Sequence, residues 1–411
     1  MALNYIWIAF FLIAFVIALV KLVFLGDTDA FKLIVDSLFS SSQSAVMDIA
    51  LPLAGAMTLW LGIMNVGEKA GAIRFLSRIV GPFFRRIFPG IPADHPAHGN
   101  ILMSFSANLL GLINAATPLG LKAMDSMQEV NPNKEEASNA QIMFLVLLTS
   151  GMQILPVTII AQRAILHAKD PTDIFIPCII ATYAAAVVGL IAVAIKQKIK
   201  LDGIIIAWLG GVTLLITLMV WGMTHYMTKE QISTLSKVAS NFLLFAIPVA
   251  FVLGGLIKKV NVFEAFIDGA KSGFETCIKI IPYLVGMLVG IAVFKSCGAL
   301  GYMNDGLRWV VSRAGLDTRF VDAMPVAYLK PLSGSGSRAM MISTMQTFGT
   351  DSFAGRLACV FNGSSDTTFY IVALYFGSVG IKKIRYAIPY GLLADLAGII
   401  AAIFVSYLFF G

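Results

Sequence analysis

The 411 residues are 58% hydrophobic and only 13% charged, against about 25% charged in an average soluble domain, which excludes an ordinary soluble globular protein. The formal net charge of +7 does not signal a nucleic-acid binder. No Lys/Arg cluster carries interleaved aromatics, and basic residues instead collect in short stretches beside apolar runs, which is how membrane topology is written.

An α-helical polytopic membrane protein is the fold class this implies, and the elements can be taken in chain order. The run 5–25 has the ~20 apolar residues needed to cross a ~30 Å hydrocarbon core. It is too long for a signal-peptide core and lacks a basic flank and an A-x-A site, so it reads as a retained helix. A span is expected near 43–66. The stretch 72–88 follows, with Arg74, Arg78, Arg85 and Arg86 among large apolar residues, the composition of a helix lying in the interface. His95 and His98 come next, but Pro96 between them leaves no helical metal-ligand spacing, and they read as part of a loop.

The segment 97–128 is apolar but bent around "LINAATPLG", as two short helices meeting at a tip. The segment 138–168 is apolar but interrupted by "TSGMQ". Spans follow at 172–195 and 203–223, and more are expected near 235–257 and 274–296. A second bent segment, 319–349 around "PLSGSGSR", and a second interrupted one, 352–377 around "NGSSDTT", precede a closing span at 386–410. Unwound backbone at membrane depth must line a cavity or pack on protein, because each unsatisfied group in lipid costs several kcal/mol. Cys178, Cys277, Cys297 and Cys359 sit in or beside apolar segments without CxxC or metal-ligand spacing, which reads as packing.

With the two bent segments taken as re-entrant hairpins, the chain makes about nine crossings. The basic groups at 74–86, 196–200, 258–259 and 382–385 then share one side, with Arg308, Arg313 and Arg319 opposite. The positive-inside rule makes the shared side cytoplasmic, for a protein of the inner (cytoplasmic) membrane with its N-terminus inside and its C-terminus outside.

The chain also repeats. "TPLGLKAM" (117–124) lies over "SGSGSRAM" (333–340), setting Lys122 against Arg338, and the two polar breaks and Pro177 and Pro389 follow at similar offsets. This divides the chain into an N-terminal repeat, 1–200, a linking helix, 201–234, and a C-terminal repeat, 235–411. An even number of crossings per half plus one extra span inverts the second half, as in secondary transporters, where paired interrupted segments point to the binding site.

"NLLGLINAATPLGLKAMDSMQ" (108–128) with "ASNAQIMFLVLLTSGMQILPVTIIAQR" (137–163) resembles spore maturation protein A. "PLSGSGSRAMMISTMQTFGTDSF" (331–353) with "VFNGSSDTTFYIVALYFGSVGIKKIRYAIPYGLLADL" (360–396) resembles spore maturation protein B. The likeness covers most of the chain, as in a natural fusion of the two, and both belong to the nucleoside-recognition, or Gate, domain group. That group resembles the cores of concentrative nucleoside transporters and the ferrous-iron permease. The resemblance implies a transport-like fold of hairpins and broken helices, and it implies no particular substrate.

The candidate site residues lie on the hairpin tips and the breaks. Ser333, Ser335 and Ser337 lead into a helix whose N-terminus suits an anion. Arg338, one turn in, either holds a carboxylate by a bidentate contact or pairs with Asp351 or Asp366. Asn114 and Thr117 at the first tip, Gln153 in the first break and Asn362 in the second can bind a polar solute or serve as turn residues. Asp366, an acid at membrane depth, is a site residue by default. With Ser364, Ser365 and Thr367 it either binds a coupling Na⁺ or carries a proton, or else caps the helix that restarts there. No catalytic constellation is present, so an enzyme is not expected, nor a cofactor beyond the coupling ion. The expected function is secondary transport of a small polar, anionic metabolite by a homodimer or higher oligomer, with no nucleic-acid partner. The alternative is a non-transporting membrane receptor or assembly factor in envelope or spore maturation.

Overall fold

The computed structural model describes residues 2–110, 113–153, 156–200, 202–227 and 229–411, without the side chains of some further helical residues, Asn114 among them. The described residues form helices and connecting turns, with one isolated bridge between Glu136 and Lys383 in place of a sheet. The protein is an all-helical, multi-pass membrane protein.

Helix α1 covers Ala2–Leu25. Helix α2, Ala30–Ser44, passes through a π-helical turn, Ala45–Ala50, into α3, Leu51–Lys69, so the span expected near 43–66 is part of one helix, Ala30–Lys69. Helix α4, Ala72–Ile87, is the arginine-bearing amphipathic stretch. Helices α5, Ala97–Leu109, and α6, Ile113–Glu129, pack on each other as the first hairpin. The first interrupted segment is α7, Asn139–Thr149, and α8, Val157–Ile165. Helices α9, Phe175–Gln197, α10, Gly203–Tyr226, and α11, Lys229–Ile257, follow. The helix that holds the span expected at 274–296 begins earlier, as α12, Val262–Ser296, and α13, Ala299–Arg313, bends away from its Val285–Ser296 part by 69°.

A 3₁₀ turn, Arg319–Ala323, leads into α14, Met324–Leu329, and α15, Gly334–Phe348, the arms of the second hairpin. The second interrupted segment is α16, Phe353–Gly363, and α17, Thr368–Ser378, and α18, Ala387–Phe410, closes the chain.

Among the described residues, five helices are long and apolar enough to cross a membrane, or six with the bent pair at α12 and α13. Each interrupted segment consists of two helices of nine to eleven residues, and none of these is long enough to span by itself. Together with α11, whose apolar part Asn241–Ile257 is also short, these two segments separate the helix count from the expected nine crossings.

Both interrupted segments begin on a serine cap. Ser138 accepts from the Gln141 N–H while Gln141 accepts from the Ser138 N–H, and Ser352 accepts from the Gly355 N–H at 3.0 Å. Such caps satisfy donors the first helical turn leaves free. Residues 141–149 of α7 are all buried, without the polar stripe of a surface helix. Outside lie α1 and α10, whose Leu12, Phe15, Leu214, Leu215 and Leu218 are exposed. On a chain of this composition such faces meet lipid.

The halves interlock. Helix α3 packs along α12 and α9 along α18. A Cβ on Gly269 would fall 2.5 Å from that of Asn65, the close approach that small residues allow between membrane helices. At one end, the Ala137 N–H donates to the Lys383 carbonyl and the Lys383 N–H to the Glu135 carbonyl, both at 3.0 Å. At the other, Arg163, fully buried, reaches Asp173 at 2.9 Å and Asp351 at 3.3 Å and donates to the Thr350 carbonyl at 2.8 Å. Asp351, one partner considered for Arg338, is thus engaged elsewhere. The four cysteines are free and buried.

Candidate functional site

The two interrupted helices meet at their breaks. Helix α7 stops at Thr149 with Gly151 in the left-handed region at φ +60°, and α16 stops where "SSDT" begins. The Asp366 N–H donates to the Thr149 carbonyl at 2.7 Å, so each break satisfies polar backbone of the other, as buried backbone requires. A Cβ on Gly151 would lie 2.8 Å from the Asp366 nitrogen, which reserves that position for glycine on both counts.

Beside this crossing lies a cavity of about 300 Å³, at the lower end of the range for small-ligand sites. Both hairpins and both breaks contribute to its wall. Thr117 comes from α6, Gln153 from the first break, Arg338 from α15, and Asn362, Ser365 and Asp366 from the second break. Six residues singled out in four separate segments of the sequence are thus brought to one surface.

The others fall elsewhere. The side chain of Asn114 lies outside the described residues. Ser333 is the N-cap of α15, accepting from the Gly336 N–H at 3.0 Å and lying 3.2 Å from the Ser335 hydroxyl. The Ser337 hydroxyl donates to the Val326 carbonyl across the hairpin at 3.2 Å and accepts from the Asn362 amide at 3.1 Å. The helix starts at Gly334, so the Gly/Ser stretch is its first turn, not a loop ahead of it. Ser364 donates to the Phe361 carbonyl, and Thr367 is buried with its backbone N–H on the Asp366 carboxylate at 2.7 Å. Lys122 is exposed and does not line the cavity, unlike its repeat partner Arg338. His98 is buried with its ring 3.3 Å from the Ile91 carbonyl, and His95 accepts from the Ala97 N–H.

Lys330 also lines the cavity, and the sequence reading passed over it. It is 7% exposed and donates to the Asn362 carbonyl at 2.6 Å, a carbonyl near the C-terminus of α16, where the helix dipole favours a cation. Its signal was a lone lysine in "MPVAYLK", directly ahead of the Gly/Ser motif. Tyr375 is a second addition. The α6 backbone at Gly120 comes so close to its ring that a Cβ there would fall 2.7 Å from it. Among the described residues the charged groups on the wall are then Lys330, Arg338 and Asp366, a surplus of one positive charge when the Lys330 amine and the Arg338 guanidine are both protonated.

The Gate family, described as nucleoside recognition, matches this chain in two stretches, residues 50–166 and 277–382. Together they cover more than half of the sequence. The chain belongs to the Gate family. Each Gate stretch begins in or just ahead of a long span, contains one hairpin and one interrupted helix, and ends after the break. The chain is also 48% identical over 159 residues to spore maturation protein B of Bacillus subtilis (strain 168), covering 39% of this chain and 88% of that protein. It is 38% identical over 188 residues to spore maturation protein A of the same organism, covering 46% of this chain and 92% of that protein. This Gate protein therefore carries in one chain the likeness of two separate proteins, as a fusion does. The second Gate stretch holds Lys330, Arg338 and Asp366, and the first holds Thr117 and Gln153.

Proposed function

We propose that this Gate-family protein is a secondary transporter of a small polar metabolite with net negative charge. The observation that carries this reading is the cavity at the crossed breaks, where two cations face one carboxylate inside an apolar protein. Burying an unmatched charge is costly, and an anionic solute offsets the surplus. Arg338 supplies planar, bidentate recognition and Lys330 a point charge, while Gln153, Asn362 and Thr117 offer hydrogen bonds to the polar remainder. Asp366 serves the coupling ion. The family description makes nucleosides a class to test alongside dicarboxylates and amino acids.

Several features support an inverted repeat with re-entrant hairpins. The family matches in both halves, a single odd helix, α10, lies between them, and α7 packs on α17 as α8 packs on α16. A two-fold axis in the membrane plane would make those contacts, and with hairpins meeting at the cavity it provides the two units that alternating access moves against each other. Basic clusters at 74–86, 196–200 and 382–385 support a cytoplasmic N-terminus.

The test is binding to the purified full chain, by thermal shift and then calorimetry, with nucleosides, amino acids and dicarboxylates, followed by uptake into proteoliposomes. An anion that binds and is accumulated, with binding lost in Arg338→Ala, supports the reading. A folded protein that binds and moves none of them overturns it in favour of a receptor or assembly factor.

A further inference from the structure

The last helix carries an acid that neither the family match nor the cavity wall includes. Asp395 lies on α18, beyond residue 382 where the second Gate stretch ends, and is 2% exposed. Its Oδ2 accepts from the Thr368 hydroxyl at 2.6 Å, and its Oδ1 is buried with no hydrogen-bond partner. The Ser365 hydroxyl faces this carboxyl group and is likewise buried and unpartnered. Ser365 also lines the cavity, so one residue touches both the cavity and Asp395.

Two facing buried oxygens without partners are rare in a folded protein, and either a proton on the carboxyl group or a turn of the Ser365 hydroxyl would pair them. The residues packed beside the glycines on this face of α18 bring no charge to balance a carboxylate. Helix α9 presents Ala185 and Gly189, α7 presents Thr149, and the second break presents Ser364 and Thr368. The charged groups within electrostatic range are Lys330 and Asp366. Lys330 has its ammonium on the Asn362 carbonyl, and the Asp366 carboxylate is on the Thr367 N–H.

We propose that Asp395 is a proton-binding site, reached from the cavity through Ser365. In the protonated state an O–H bond forms at Oδ1 as the corresponding O–H bond of a hydronium in the cavity breaks, leaving water. The neutral acid then donates to the Ser365 oxygen, which pairs both orphaned atoms and removes an isolated buried charge. On release the proton returns to cavity water and the Ser365 hydroxyl turns to donate to Oδ1. One carboxylate and two hydroxyls satisfy a proton, whereas an alkali cation needs a fuller oxygen shell to replace its hydration. Thr368 and Ser365 belong to the second break, so the charge on Asp395 bears directly on the segment that shapes the cavity. Its use in coupling rests on the transport reading, but the protonation itself does not.

The test is infrared spectroscopy of the full chain in proteoliposomes, titrated through the neutral range in H₂O and D₂O. The expected result is a protonated-carboxyl band that shifts in D₂O, fades as pH rises, is absent in Asp395→Asn and persists in Asp366→Asn. Ser365→Ala should move its frequency, since the acid loses its acceptor. That variant and Asp395→Glu keep the test decisive should Asp395→Asn fail to fold. No band, a band kept in Asp395→Asn, or a band abolished by Na⁺ at constant pH would overturn the assignment, the last in favour of a cation site. A band that behaves as expected in a protein that binds no solute would uphold the proton site and overturn the transport reading.

Discussion

Arg338 and Lys330 reach the same cavity from different positions on one hairpin. Lys330 ends the first arm and Arg338 sits in the second turn of the other, eight positions on. Charge-assisted contacts of this kind contribute about 1.5–3 kcal/mol each. Arg338→Ala and Lys330→Ala are therefore each expected to weaken binding of an anionic solute roughly 10- to 100-fold with little change in fold, as read by calorimetry. Arg338→Lys should recover only part of the loss, because an ammonium cannot make the planar two-point contact. Arg338 was legible in the sequence because it follows the Gly/Ser motif. Lys330 and Asp395 have the same kind of signal, one charge in an apolar run, but nothing in the order of residues says that they converge.

At the scale of the element, the decisive feature is the crossing of two breaks. Gly151 combines a left-handed backbone with a close approach to the Asp366 nitrogen. Gly151→Ala should destabilise the protein by about 2 kcal/mol or more, seen as a lower thermal midpoint, and weaken solute binding because it displaces Asp366. Arg163 tests the other connection between the halves. Its guanidinium reaches Asp173, Asp351 and the carbonyls of Thr350, Asp170 and Pro171. Arg163→Ala leaves Asp173 and Asp351 with Arg356 as their remaining cation and three carbonyls without their donor, and is expected to cost about 3 kcal/mol. Lysine should not rescue it, since one ammonium cannot serve five acceptors. Away from the cavity, this change should lower stability without altering which solute is preferred, and a changed preference would contradict that separation.

For the whole molecule, the likeness to two separate proteins has a physical counterpart. The halves meet along α3 and α12, along α9 and α18, at the crossed breaks and at both polar ends, and the chain between them is the single helix α10. Residues 1–202 and 203–411, expressed together as two polypeptides, are expected to copurify and to bind the same solute as the intact chain. Halves that fold but do not associate would show that the covalent link, not the interface, holds the protein together.

By itself the sequence determined the class and the interrupted helices, because apolar run length, serine caps and Gly/Pro/Ser breaks act over a few neighbouring residues. The helices that hold two of the expected spans begin ahead of the apolar runs. The amphipathic pieces ahead of 43–66 and 274–296 run on without a break into α3 and α12, since nothing at those junctions stops a helix. Only the tertiary structure decided which polar residues share a cavity. It turned Ser333 and Ser337 inward to cap and pack the second hairpin, left Lys122 exposed, and set Lys330 beside Arg338 and Asp395 behind Ser365. The reason is that a buried polar group finds its partner wherever packing puts one, and here several of those partners lie more than 200 residues away.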